Sequence, residues 1–273
     1  MPILPPSITA PYPIAESILN MARVRINDAI ASLGGDILTD TQPFTQVMFN
    51  AAWHSLQEYL ANKGFTRCKQ EVVLSGIPAT SNYDPAAQVS LSWSGYFDGT
   101  SYFIPPNAPV LPQDMILPLR LWERSHSGSS TASWGFSPMA QALDGLPSTQ
   151  KFPANSWWEW REDAIYMPGS TIAEDIRMRY AAFLPDITTQ GTTNWTQQPV
   201  PIMRCENAMS YYVAAEAAAP RADLDAETFL QKAEKAASMI MNREVMQKQR
   251  TTATRRPYGR RSGSSYGQSG MIL

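Results

Sequence analysis

The chain has 273 residues, 44% hydrophobic and 17% charged, so it has ample material for a core but less charge than a typical globular domain. Its net charge of -2 hides an asymmetry: after Glu244 the only charged residues are Lys248, Arg250, Arg255, Arg256, Arg260 and Arg261, which leaves 16 Lys and Arg against 24 acids, about -8, on the rest. No uncharged apolar run approaches the roughly 18 residues of a membrane span, and the first residues lack the basic and apolar regions of a secretory signal. Cys68 and Cys205 stand in no metal or redox spacing; they read as reduced, buried thiols of a protein assembled in a cytoplasm, with a bridge between them left open.

Pro2, Pro5, Pro6 and Pro11 mark an extended arm over residues 1–12. A helix is expected over about residues 13–33, because Ile14, Ile18, Ala22, Ile26, Ala29, Ile30 and Leu33 recur with a helical period and Gly34-Gly35 follows as a stop. A second helix is expected over about residues 42–62, capped by Thr41, with Pro43 in its first turn and Gly64 at its end. Its apolar face runs through Phe44, Val47, Met48, Ala51, Leu56, Tyr59 and Leu60.

After Phe65 the period changes to two. Cys68, Val72 and Leu74 sit among Arg67, Lys69 and Glu71, and Val89, Leu91 and Trp93 alternate with serines, the pattern of half-buried antiparallel strand. Asp98-Gly99 predicts a hairpin turn. Further strands are expected over residues 115–122, 157–161, 164–167 and 172–183, the last alternating Ile176, Met178 and Tyr180 with Asp175, Arg177 and Arg179. A Ser-, Gly- and Pro-rich stretch over about residues 125–153 reads as a long loop that is either functional or ordered by a partner. Helix returns over residues 203–219, stopped by Pro220, and again from Asp225 to about residue 249, with a stripe of Phe229, Ala233, Ala237 and Ile240. Residues 250–273 are Gly-, Ser-, Thr- and Arg-rich and would be disordered alone.

The predicted class is therefore α+β: helix pairs over residues 13–64 and 201–249 forming one bundle, an antiparallel β domain inserted over residues 65–200, and a basic C-terminal arm. The eight tryptophans and 22 prolines, with so little charge, suggest surface covered by neighbouring proteins.

Chemistry-bearing patterns are sparse. His54 lies on the polar flank of a helix, and His126 lies in Ser125-His126-Ser127-Gly128-Ser129-Ser130, where a flexible loop does not supply an oriented base. No nucleophile elbow, phosphate loop, dinucleotide fingerprint or metal-ligand spacing occurs, so neither a catalytic centre nor a cofactor is expected. Trp157-Trp158-Glu159-Trp160-Arg161-Glu162-Asp163 could stack sugars and supply two carboxylates, but on a strand Trp158 and Trp160 share one face, the plain pattern of a core. The tail fits docking to an acidic protein or, with Tyr258 and Tyr266 stacking on bases, binding to nucleic acid.

The layout resembles the head-to-tail adaptor (connector) proteins of tailed bacteriophages. Short phrases resemble phage virion proteins: Ile165-Tyr166-Met167-Pro168-Gly169, Asp175-Ile176-Arg177-Met178-Arg179-Tyr180, Phe183-Leu184-Pro185-Asp186, and Phe136-Ser137-Pro138-Met139 with Asp144-Gly145-Leu146-Pro147. The resemblance implies a structural virion protein, a homo-oligomeric and usually dodecameric ring that joins the portal protein to a tail or nozzle protein and lines the DNA passage, with genomic DNA passing close by and no membrane partner. It implies a neck location in the virion after assembly in the host cytoplasm. Carried onto this chain, Arg250, Arg255, Arg256, Tyr258, Arg260, Arg261 and Tyr266 would belong to the portal-docking arm, and Phe229, Ala233, Ala237 and Ile240 to the packing between subunits. The large β region departs from the smallest adaptors and suits a tail tube, nozzle or stopper as well. A carbohydrate-binding or glycoside-cleaving protein is the alternative of a different class, and it requires an open aromatic groove at Trp157 to Trp160.

Overall fold

The structure, a computed structural model, describes residues 12–26, 43–80, 88–106, 108–126, 135–146, 154–221 and 225–254. The Gly34-Gly35 stop, the Thr41 cap, nearly all of the N-terminal arm and much of the loop before residue 154 lie outside the described residues.

Among the described residues four α-helices form one layer: α1 (Ala15–Arg25), α2 (Pro43–Asn62), α3 (Glu206–Ala218) and α4 (Asp225–Thr254). Helix α3 packs on α1, α2 and α4. Its buried residues are mostly small, with Ala208, Ser210, Ala214, Ala217 and Ala218 beside Met209, Tyr212 and Val213, so neighbouring backbones can approach closely. Around it Ile18, Leu19, Phe49, Trp53, Leu56 and Leu60 are fully buried, each worth roughly 1.5–3 kcal/mol relative to exposure. Helix α2 ends in two nested bonds, Gly64 N–H to Ala61 O at 2.8 Å and Phe65 N–H to Leu60 O at 3.0 Å. Gly64 takes φ +76° there, the left-handed stop that its sequence position predicts.

Among the described residues ten strands form two sheets. The first has the order β1-β10-β5-β6, from β1 (Lys69–Ile77), β10 (Glu174–Ala182), β5 (Met115–Ser125) and β6 (Ser137–Pro138). The second has the order β4-β3-β2-β9-β8-β7, from β4 (Tyr102–Phe103), β3 (Tyr96–Phe97), β2 (Val89–Leu91), β9 (Ala164–Met167), β8 (Trp157–Arg161) and β7 (Ala140–Gln141). The sheets share a core of Leu74, Val89, Leu91, Leu121, Trp158, Ile165, Met167, Ile176 and Met178.

This corrects the expected architecture. A bundle of two terminal helix pairs around one antiparallel insertion is not what the structure shows: there are two sheets, β7 pairs with β8 in parallel, and α1 has only 11 residues. The helical period does run on past Arg25, but Val24, Ile26, Asn27 and Asp28 are β-branched or Asx residues with weak helix preference, and at Ile26 the backbone leaves the helix. A period of two identifies the inward side chains of each strand but not which strands pair.

The helical layer meets the strands through a ladder on α2. The extended chain after β10 lies along it: Gln57 accepts the Leu184 N–H, and Trp53 Nε1 donates to Pro185 O at 3.2 Å. His54 bonds Asp186 at 2.7 Å, Asn50 accepts the Ile187 N–H at 3.0 Å, and Gln46 donates to Ile187 O at 3.1 Å. These positions recur every three or four residues, so one helix face serves as hydrogen-bonding edge for a segment with no strand partner. Cys68 and Cys205 are free and buried, in separate clusters.

Ala233 on α4 is fully buried against this layer. Ala233→Asp, which places an unpaired charge there, is expected to cost about 3 kcal/mol or more, about 10 °C of melting temperature. Thermal denaturation followed by circular dichroism checks it, and an unchanged melt would show that stripe to be open to water.

Candidate functional site

The residues expected to pack between subunits are already occupied. Phe229, Ala233, Ala237 and Ile240 are each at most 9% exposed, packed inside the chain's own helical layer, and Phe229 stacks on Tyr211 with centroids 6.5 Å apart. An amphipathic stripe is satisfied first by the nearest helix, here α3. What α4 offers outward is a second set, Leu230, Met239 and Met246, which the stripe-based reading passes over, together with Val245, which that reading placed at the end of the stripe. Of the expected docking arm, Arg250 falls within α4, whose bounds run to Thr254; Arg255, Arg256, Tyr258, Arg260, Arg261 and Tyr266 lie outside the described residues.

The aromatic strand does not form a sugar platform. Trp158 is 1% exposed in the shared core, and Trp160 is half-buried with its ring edge-on to Trp93 at 5.8 Å. Trp157 alone of the three is exposed, and Glu162 and Asp163 stand at the tip of the β8–β9 hairpin. Among the described residues no group of three His, Cys, Asp or Glu side chains could hold a metal ion. No helix among them is long and apolar enough to cross a membrane.

The densest polar chemistry lies where the two sheets meet. Glu123 on β5 and Glu174 on β10 point inward from strands that otherwise carry apolar residues, and both are buried. Glu123 receives the Ser156 N–H at 3.1 and 3.0 Å on its two oxygens. Asn155 Nδ2 donates to Glu174 Oε2 at 2.6 Å, while Asn155 Oδ1 accepts the Gly169 N–H at 2.8 Å. Gly169 has φ +92°, and a Cβ there would lie 2.7 Å from Thr80 Oγ1, so this turn needs glycine. Two carboxylates thus clasp the loops flanking the β8–β9 hairpin onto the β5–β10 pair. Buried so deeply, they hold structure together rather than present an acid or base to a substrate. The sequence signal for them is an acid at an inward position of an alternating strand.

On the opposite face of the same strands, Asp175 receives Arg124 Nε and Nη2 at 3.0 and 2.9 Å, the Gly76 N–H at 3.0 Å, and His126 Nδ1 at 2.6 Å. His126 is therefore oriented by a carboxylate, a feature its loop-like sequence hides. Ser127, Ser129 and Ser130 lie outside the described residues. Burial raises the Asp175 carboxyl, but His126, the Gly76 N–H and Arg124 more than offset this and leave it below its ordinary value.

The inward pair behaves the other way. Burial, then the neighbouring Glu123 charge, push Glu174 up from 4.5 to about 8 against the opposing Asn155 bond, and burial raises Glu123 as well. A carboxyl with a higher pKa when folded keeps a proton that the unfolded chain has released. Its stabilisation is fully present below pH 4.5 and is lost as pH rises toward about 8. Asp175 has the opposite sign: its stabilisation is present above the ordinary Asp pKa and is lost only as pH falls below it. Melting temperature is expected to fall as pH rises through this window, and Glu174→Gln, which keeps the side-chain shape without titrating, is expected to flatten the fall. An identical pH slope in the variant would contradict the assignment.

No protein-family model matches the chain, and no curated protein matches it.

Proposed function

We propose that the chain is a structural virion protein, a ring-forming head-to-tail adaptor that joins the portal protein to a tail or nozzle protein and lines the DNA passage, without catalytic activity. The observation that carries this reading is the shape of α4. The helix has 30 residues, about 45 Å at 1.5 Å per residue, and among its residues of described burial the buried stripe reaches Ile240. Glu244 then ties it to the body by accepting the Thr66 N–H at 3.1 Å, and the helix runs ten residues further to Thr254. Past that tie Val245 and Met246 are 45% and 64% exposed, and the basic segment follows directly. A helix with exposed apolar side chains at Val245 and Met246 that continues into a cationic Gly/Ser sequence suits a docking arm that orders on a partner.

The exposed apolar residues Val24, Phe44, Val47, Leu230 and Met239 on the helical layer support oligomerisation by the same reasoning. A ring closes through a heterologous interface, which needs two different surfaces on each subunit, and the helical layer and the sheets supply chemically distinct ones.

Deleting residues 250–273 is expected to leave the melting temperature of the isolated protein nearly unchanged and to abolish co-sedimentation with portal rings. A large drop in melting temperature would make the segment part of the folded body. Undiminished co-sedimentation would remove the arm from the docking role.

A further inference from the structure

The outward row of the first sheet gathers guanidinium groups around one ring. The Cζ atoms of Arg177, Arg179 and Arg120 lie 5.1, 5.5 and 5.8 Å from the Trp122 ring centroid. Strand register brings them together, with Arg177 between Val73 and Trp122, and Arg179 between Glu71 and Arg120. Glu71 accepts from Arg177 Nε at 3.1 Å and Arg179 Nε at 2.7 Å, and also from Nη2 of each. One carboxylate therefore orients two guanidiniums and leaves their other donors for a ligand. Arg120 is exposed and makes no ion pair among the described residues. Three cations against one carboxylate leave the patch at +2 on a body whose charge outside the tail is about -8.

We propose that this sheet face binds the phosphate backbone of a nucleic acid, with Arg120, Arg177 and Arg179 as its phosphate ligands. Three arginines and no lysine surround the ring, and the planar guanidinium fork matches phosphate oxygens in pairs. Cation–π contact with Trp122 and the bonds to Glu71 hold the side chains in place, so little rotamer freedom remains to be lost on binding. An acidic protein partner fits less well, because protein interfaces are built around an apolar centre, whereas here the ring is ringed by charge. A surface made mostly of guanidinium is the composition of a protein–DNA contact. The acidic remainder of the body repels a polyanion and so confines it to this face. The inference stands on the sheet face alone and does not require a ring.

The test uses the full chain and a fluorescein-labelled DNA oligonucleotide, read by anisotropy over a salt series, with melting curves of each variant as the folding control. Arg120→Ala is expected to weaken binding about fivefold to tenfold and to lower the slope of log affinity against log salt by about one. Glu71→Gln, which removes the competing carboxylate, is expected to tighten it. Joint replacement of Arg255, Arg256, Arg260 and Arg261 by Gln separates this face from the tail. Binding that survives Arg120→Ala but vanishes with the tail variant would overturn the proposal, as would no salt-dependent binding by the full chain. Tighter binding of polyglutamate than of DNA at equal charge would make the face a protein dock instead and also overturn it.

Discussion

The register of β10 between β1 and β5 is the constraint on which the rest of the β region depends. The strand is hydrogen-bonded along both edges, so its alternation is locked. Glu174, Ile176, Met178 and Tyr180 face the shared core, while Asp175, Arg177 and Arg179 face outward. A slip of one residue would drive two arginines into the core and expel its apolar row, which no compensating contact could offset. Because the register is fixed, both polar systems are fixed with it: the Glu123–Glu174 clasp on one face, and the Asp175 and Glu71 networks on the other.

The two faces do different physical work. Inward, two carboxylic groups stand where apolar side chains are expected, and they are tolerated because Asn155 and Ser156 satisfy them. Burial raises both carboxyls, so this joint between the sheets is expected to weaken as pH rises. Outward, the same strand carries cations whose partners only half neutralise them. The helical layer is attached separately, through α2 and the segment after β10, and its outward apolar residues are the counterpart to the charged sheet face. One chain therefore presents an apolar helical surface, a cationic sheet surface and a basic tail.

How much of this was legible follows from what sequence patterns measure. Residues 157–161 and 164–167 were readable to the residue, because Glu162 and Asp163 interrupt two short alternating runs. Helix α2 was bracketed by Pro43 and Gly64, which act locally. Helix α1 was overextended, because an apolar period persists where local backbone preference no longer favours helix. The division into two sheets and the parallel β7–β8 pair were invisible, since pairing is decided by contacts distant in sequence. The stripe Phe229, Ala233, Ala237, Ile240 was read as packing between subunits and is buried within the chain, because a stripe does not say whether its cover is the same chain or another. The arginine cluster was hidden for the same reason: Arg120 and Arg179 are far apart in sequence and meet only through register.

As proposed, the chain works by assembling with copies of itself and with a portal. The most direct measurement is the mass of the purified full chain, alone and after mixing with portal rings, with the particles then imaged. A closed ring is expected, formed either by the chain alone or on the portal, with the end of α4 at the contact. A compact monomer that stays monomeric and unattached in the presence of portals would contradict it.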